Sequence, residues 1–315
     1  MGSIVLTTAN KECFGRETDF RKCSETSIVQ VIMSVDGTFV VKKESKNQKF
    51  DSLLTGEFCT LSKFKKPYIR KVYNYVIGTR ASFQMDYYLY TLLDKKGELT
   101  RFEKFIVIYG VSCAVETILN MGLIHRDIKP SNIMLNNHNY PILSDFGIIR
   151  SNDRTQNSGK GTTIFRYPIF FDEDNIVNEY MDVYSIGILI CDLFFGIPET
   201  VRNTKISMMP RSTYLTGYVP QICQNANDEN DPFTILFKKC ISFDDPIKIG
   251  VLLSELDRIY DNDFKAYSEE FSDFLNWLHK DGYDDCTPNP SPETIPKLEH
   301  IIIDPPTENY CIPNQ

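Results

Sequence analysis

The sequence predicts an α+β fold, with strands gathered in the first third of the chain and helices in the rest. Three observations carry this. The runs 39–42, 72–77 and 81–85 are β-branched, aromatic or alternating, as strands are. Beyond residue 100, apolar residues recur at helical spacing over 105–119, 233–241, 247–260 and 264–278. Hydrophobic residues make up 42% of 315, enough for a sizeable core and for two lobes or domains.

Taken in order, the chain begins with Ile4-Val5-Leu6, either a short added strand or a disordered lead. Residues 23–31 read C-S-E-T-S-I-V-Q-V. Val35-Asp36-Gly37-Thr38 is a turn between strands, and 39–42 follows as a β-rich run. Phe50, Leu53, Leu54, Phe58, Leu61 and Phe64 form a helical stripe, with Glu57 inside it. Gly56 weakens that helix by about 1 kcal/mol relative to alanine. The helix over 105–119 stops at Met121-Gly122. Residues 151–160 are a polar loop by composition. The apolar run 186–195 suits a helix buried on all sides, ended by Gly196-Ile197-Pro198. Residues 199–232 show no clear period. Two helices flank Asp244-Asp245-Pro246, and a last one over 264–278 carries the sole tryptophan, Trp277. Seven prolines between 288 and 313 predict an extended or disordered tail.

The net charge of −8 argues against a general nucleic-acid binder. Nine cysteines lack a C-x-x-C pair, and no signal-peptide pattern opens the chain. Both point to reduced thiols in an intracellular setting, cytoplasmic or nuclear. Scattered histidines disfavour a zinc site. No apolar run reaches the ~20 residues of a membrane span. Leu6 stands where a myristoylation signal wants Ser or Thr.

The chemistry concentrates between Leu123 and Gly147, which reads L-I-H-R-D-I-K-P-S-N-I-M-L and, after a linker, L-S-D-F-G. Asp127 can accept a proton from an attacking hydroxyl. Asn132 and Asp145 offer hard oxygen ligands of the kind Mg²⁺ prefers. Lys129 is a point charge able to sit on a transferring phosphate. Phosphoryl transfer needs mostly positioning and charge neutralisation, and these groups nearly supply both.

His125-Arg126-Asp127 with Asn132 five residues on resembles the catalytic loop of eukaryotic-type Ser/Thr protein kinases. Asp145-Phe146-Gly147 resembles their metal motif, at the spacing that family uses. Asp182-Val183-Tyr184-Ser185-Ile186-Gly187 resembles the opening of their buried helix, whose aspartate bonds the catalytic-loop backbone. The resemblance covers roughly 20–260 and implies the bilobal protein-kinase fold. Its expected parts are a lead over 1–19, a small β-rich lobe with one main helix over 20–88, a larger, mainly α-helical lobe over 89–262, and an added helix with a Pro-rich tail over 263–315.

The resemblance also implies a site. ATP and Mg²⁺ are the expected cofactors and a protein the expected substrate; the oligomeric state is left open. Asp127 and Lys129 take the catalytic roles, and Asn132 and Asp145 hold metal. Ser24, Thr26 and Val29 fall where the family has three glycines over the ATP phosphates, with Val31 after them. Lys42 is the preferred ATP lysine, with Lys43 as the alternative one residue on, and Glu57 is its partner. Met85 backs the adenine pocket, and the backbone of Asp86 and Tyr88 bonds adenine. A phosphate-responsive activation segment would use Arg126 with Ser151, Thr155 or Ser158, near Arg150, Arg154 and Lys160. Thr162 matches a threonine of Ser/Thr kinases. Ile169 and either Ile249 or Lys248 replace a glutamate–arginine pair. The non-glycine loop keeps a second reading open, a binding or scaffolding module that transfers phosphate weakly or not at all.

Overall fold

A computed structural model describes residues 16–33, 37–147, 149–151, 164–168, 178–202, 217–280 and 282. The small lobe is a five-stranded antiparallel sheet. Its strands are β1 (Arg16–Cys23), β2 (Ser27–Met33), β3 (Phe39–Ser45), β4 (Val72–Ile77) and β5 (Ala81–Asp86), in the order β1-β2-β3-β5-β4. Helix α1 (Asp51–Leu61) lies between β3 and β4. Leu54, Glu57 and Leu61 give its buried stripe, while Leu53 faces solvent. Phe58 stacks on Tyr75 of β4 with ring centroids 4.8 Å apart, which docks the helix on the sheet. Ile4-Val5-Leu6 and, of the turn at 35–38, Val35 and Asp36 lie outside the described residues, and β1 begins inside the expected lead; Gly37, at φ 84°, is described.

The large lobe starts with the short β6 (Tyr90–Thr91) and α2 (Leu92–Lys95). Helix α3 (Arg101–Leu119) begins four residues before the apolar stripe. Thr100 and Glu103 form a capping box there, Thr100 Oγ1 accepting from the Glu103 N–H at 3.2 Å, and this fixes the start. Gly122 at φ 69° ends the turn after α3, a conformation that favours glycine. The short β7 (Leu123–Ile124), β8 (Ile133–Leu135) and β9 (Pro141–Leu143) bracket the catalytic-loop sequence, and β10 (Arg150–Ser151) pairs back on β7.

Helix α4 (Tyr180–Phe194) is buried from Met181 to Leu193, as the apolar run predicts, and Gly196 at φ 74° follows it. The irregular stretch contains α5 (Glu199–Arg202) and α6 (Val219–Ile222). Helix α7 (Pro232–Cys240) is capped by Asp231, which accepts from the N–H of Phe233 at 2.8 Å. Helix α8 (Ile249–Ile259) is followed by irregular turns, then α9 (Ser268–Leu278). The last helix therefore starts later than its aromatic stripe; Phe264 and Tyr267 lie on the preceding π and 3₁₀ turns. The tail with seven prolines lies outside the described residues.

Candidate active site

Strand parity decides the lysine. Neighbouring residues of a strand point to opposite faces. Lys43 points inward and is 7% exposed; its Nζ donates to Glu57 Oε1 at 2.7 Å and to Asp145 Oδ1 at 3.1 Å. Lys42 turns the other way and pairs with Glu44 at 2.6 Å. The preference for Lys42 is therefore corrected to Lys43. The motif F-V-V-K is offset by one from the strand's inward face, and only the register Lys43↔Phe83 reveals it. The partner of Lys43 on α1 is Glu57.

Burial pulls the Lys43 ammonium down, but the Asp145 and Glu57 carboxylates outweigh it and hold the ammonium above its ordinary range. The Lys43 charge in turn holds the Asp145 carboxyl well below the usual carboxylate range. Burial pushes Glu57 up, against the pull of Lys43. A Cβ on Gly147 would come within 3.4 Å of Asp145 Oδ1 and 3.6 Å of Glu57 Oε2, so the glycine leaves this triad room.

The catalytic loop is tied from below. Asp182, fully buried on α4, accepts from the backbone N–H of His125 at 2.7 Å and of Arg126 at 2.8 Å. These bonds hold Arg126 at φ 71°, a left-handed conformation that a non-glycine residue keeps only when its surroundings impose it. Asp145, at φ 65°, is the second such residue of the site. Asp127 receives Asn132 Nδ2 at 2.8 Å on its Oδ2, and Lys129 Nζ lies 2.9 Å from that same oxygen. Asn132 also bonds the Asp127 carbonyl, and its own carbonyl accepts the Ser144 N–H at 2.9 Å. Asn132 and Asp145 are thereby set beside each other. Phe146 packs edge-on against His125, with centroids 4.8 Å apart. Arg166 is lowered to about 10 by burial and by the charge of Arg126, against the pull of Asp127.

The loop between β1 and β2, residues 24–26, closes on itself. Ser24 Oγ accepts from the N–H of Thr26 at 3.2 Å and of Ser27 at 2.9 Å. Two backbone donors of this loop are thus satisfied internally. Val29 is not in this loop but on β2, opposite Lys22 and Lys43. Val31 is buried.

At the end of β5, Met85 is buried and pairs with Val41. The Asp86 carbonyl accepts from Arg70 Nε at 3.1 Å and Nη2 at 2.6 Å. Tyr88 lies nearby, its ring centroid 5.9 Å from the guanidinium carbon of Arg70. Arg70 was not singled out in the sequence. It stands in K-P-Y-I-R-K-V, where local pattern gives a basic residue no role, and only contacts distant in sequence reveal one.

Among the described residues no three His, Cys, Asp or Glu side chains gather as a metal cluster. The donor set nevertheless fits Mg²⁺, which takes one or two carboxylates together with substrate phosphates and water. Asp145 keeps an oxygen beyond the one that Lys43 occupies, and its side chain is 49% exposed. Of the activation-segment residues, Thr155, Ser158, Thr162, Arg154 and Lys160 lie outside the described residues, as does Ile169. Ile249 is buried, whereas Lys248 pairs with Glu179 at 3.4 Å.

The fold and this constellation define a class, the two-lobed protein-kinase fold. The family described as Protein kinase domain matches residues 24–285, and the chain belongs to it. Its relatives include a probable LRR receptor-like serine/threonine-protein kinase of Arabidopsis thaliana, 34% identical over 35% of this chain and 13% of that protein. The 3-phosphoinositide-dependent protein kinase 1 of Mus musculus is 29% identical over 53% of this chain and 32% of that protein. The mitogen-activated protein kinase HOG1 of Candida albicans is 26% identical over 50% of this chain and 41% of that protein. The chain thus spans less than half the length of each. Protein kinases as a family use ATP and Mg²⁺ and act on proteins. No helix among the described residues is long and apolar enough to cross a membrane.

Proposed function

We propose that the chain is a protein kinase that transfers the γ-phosphate of ATP to Ser or Thr hydroxyls of proteins with Mg²⁺. The observation that carries this is the joined pair of networks: Lys43 bonded to both Glu57 and Asp145, and Asp127 bonded by Asn132 beside Lys129. In this reading Lys43, held by Glu57, steadies the nucleotide phosphates. Asp127 takes the proton of the attacking hydroxyl. Lys129 offsets charge on the moving phosphoryl group. Asn132 and Asp145 would hold Mg²⁺, which supplies neutralisation of phosphate charge when bound. Ser24 and Thr26 would cover the phosphates, with Val29 and Val31 flanking them on β2, while Met85, Asp86 and Tyr88 would wall the base. Lys129, two residues after Asp127, favours Ser/Thr over Tyr.

A second reading has support of its own. The amides of Thr26 and Ser27 are turned onto Ser24, and Arg70 engages the Asp86 carbonyl. Both disfavour ATP and suit a binding module with weak or no transfer. The deciding experiment is phosphate transfer from γ-labelled ATP and from γ-labelled GTP, by the purified chain and by Asp127→Asn. Loss of the proton acceptor should cut transfer about 10²-fold or more. Equal, near-zero transfer by both proteins from both donors gives the case to the binding module.

A further inference from the structure

Arg70 precedes β4 and is 7% exposed. Its Nε and Nη2 both donate to the Asp86 carbonyl, at 3.1 and 2.6 Å, and its Nη1 donates to Ser144 Oγ at 3.0 Å. It thereby links the strand end expected to meet the base with the residue before Asp145. A carbonyl oxygen has two lone pairs, and two N–H groups of one guanidinium meet them here. The backbone acceptor at Asp86 is therefore already engaged. Adenine carries an amino donor at C6 and would need such an acceptor.

A guanidinium has five N–H groups. Three are used by Asp86 and Ser144, which leaves one each on Nη1 and Nη2. Burial lowers the Arg70 pKa against the pull of the Asp86 and Asp145 carboxylates, neither of which pairs with it as a salt bridge. A buried guanidinium N–H gains from an acceptor placed beside it. Guanine and hypoxanthine present two adjacent acceptors, O6 and N7, which suit a guanidinium fork. Adenine offers N7 beside a donor.

We propose that Arg70 sets the base preference of this cleft toward 6-oxopurine triphosphates, GTP and ITP, over ATP. This rests on the reading of the cleft as a nucleotide site, but not on whether phosphate is transferred. The test titrates the full chain and Arg70→Met with ATP, GTP and ITP in the presence of Mg²⁺, by calorimetry. ITP isolates the change at positions 1 and 6 of the base without the 2-amino group of GTP. The expected result is binding of ITP and GTP about tenfold tighter than ATP, with that ratio shifting at least tenfold toward ATP in Arg70→Met. If Arg70→Met does not fold, Arg70→Lys keeps a cation without the fork and should shift the ratio in the same direction. ATP bound more tightly than ITP by the wild type overturns the inference, as does an unchanged ratio in the folded variant. Binding of none of the three overturns it together with the nucleotide reading. The expected ratio without any transfer leaves it standing and refutes only the kinase reaction.

Discussion

Two adjacent lysines on β3 have opposite fates, because each faces a different side of the sheet. Lys43→Met strands Glu57, a buried carboxylate 7% exposed, and takes the counter-charge from Asp145. Lys42→Met breaks a pair with Glu44 on the other face of the sheet. Lys43→Met should lose phosphate transfer by about 10²-fold or more, and its unfolding should cost less denaturant. Lys42→Met should stay within a few-fold of wild type in a transfer assay. The pH dependence follows from the sign of the Asp145 shift. Its folded pKa is depressed by Lys43, so the stabilisation is present above the ordinary carboxylate pKa of about 3.9 and is lost as pH falls through the folded value. The stability gap between wild type and Lys43→Met should therefore hold near neutrality and narrow below about pH 4. Denaturant midpoints at pH 7 and pH 3 check this, and a gap that widens on acidification would contradict it.

At the scale of elements, two glycines on helices make opposite predictions. Gly56 on α1 is exposed, and an added Cβ meets nothing within 4 Å. Gly56→Ala should stabilise the chain by about 1 kcal/mol through helix propensity alone. Gly187 on α4 is buried, and a Cβ there would stand 2.6 Å from Cys240 Cβ and 3.0 Å from Ile241 Cγ2. Gly187→Ala should force α7 away from α4 and cost about 1–3 kcal/mol. Thermal melts of the two variants should move in opposite directions. The same scale explains what was legible. Asp127, Asn132, Asp145 and Asp182 are spaced by motifs, so their placement on loops and at the start of α4 could be read from the chain. Long apolar runs likewise announced α3 and α4. Lys43 could not be separated from Lys42, since parity needs the pairing register with β5. Arg70 was invisible because its partners, Asp86 and Ser144, are brought to it only by the fold. The Thr100–Glu103 capping box was present in the sequence as T-x-x-E and would have placed the start of α3.

At the scale of the whole molecule, the C-terminal helix reaches the connection that follows α1. Trp277 on α9 lies with its ring 5.1 Å from Tyr140 and 6.4 Å from Tyr68, centroid to centroid. Tyr140 belongs to the turn before β9, and Tyr68 to the segment between α1 and β4. Just past the helix, the Gly282 N–H donates to the Lys65 carbonyl at 3.1 Å. The helix that carries Glu57 is thus anchored at its exit by the last described element of the chain. Phe271 and Phe274 continue the aromatic contact onto Tyr109 of α3, so α9 belongs to the core of the large lobe. Trp277 is 5% exposed and is the only tryptophan, which makes its emission a reporter on this docking. If α9 shares one core with both segments, urea unfolding followed by tryptophan emission should coincide with that followed by far-UV ellipticity. An emission change at clearly lower urea would mean that α9 opens before the rest. Tyr140→Ala should move the emission transition earlier by removing one wall of the tryptophan site, and, because Tyr140 is only partly buried, at a cost of about 1–3 kcal/mol, below that of a fully buried aromatic. Because α9 also braces the exit of α1, that variant should lose phosphate transfer in parallel with stability. Retained transfer, in a protein whose emission shows α9 released, would place the restraint on Glu57 elsewhere.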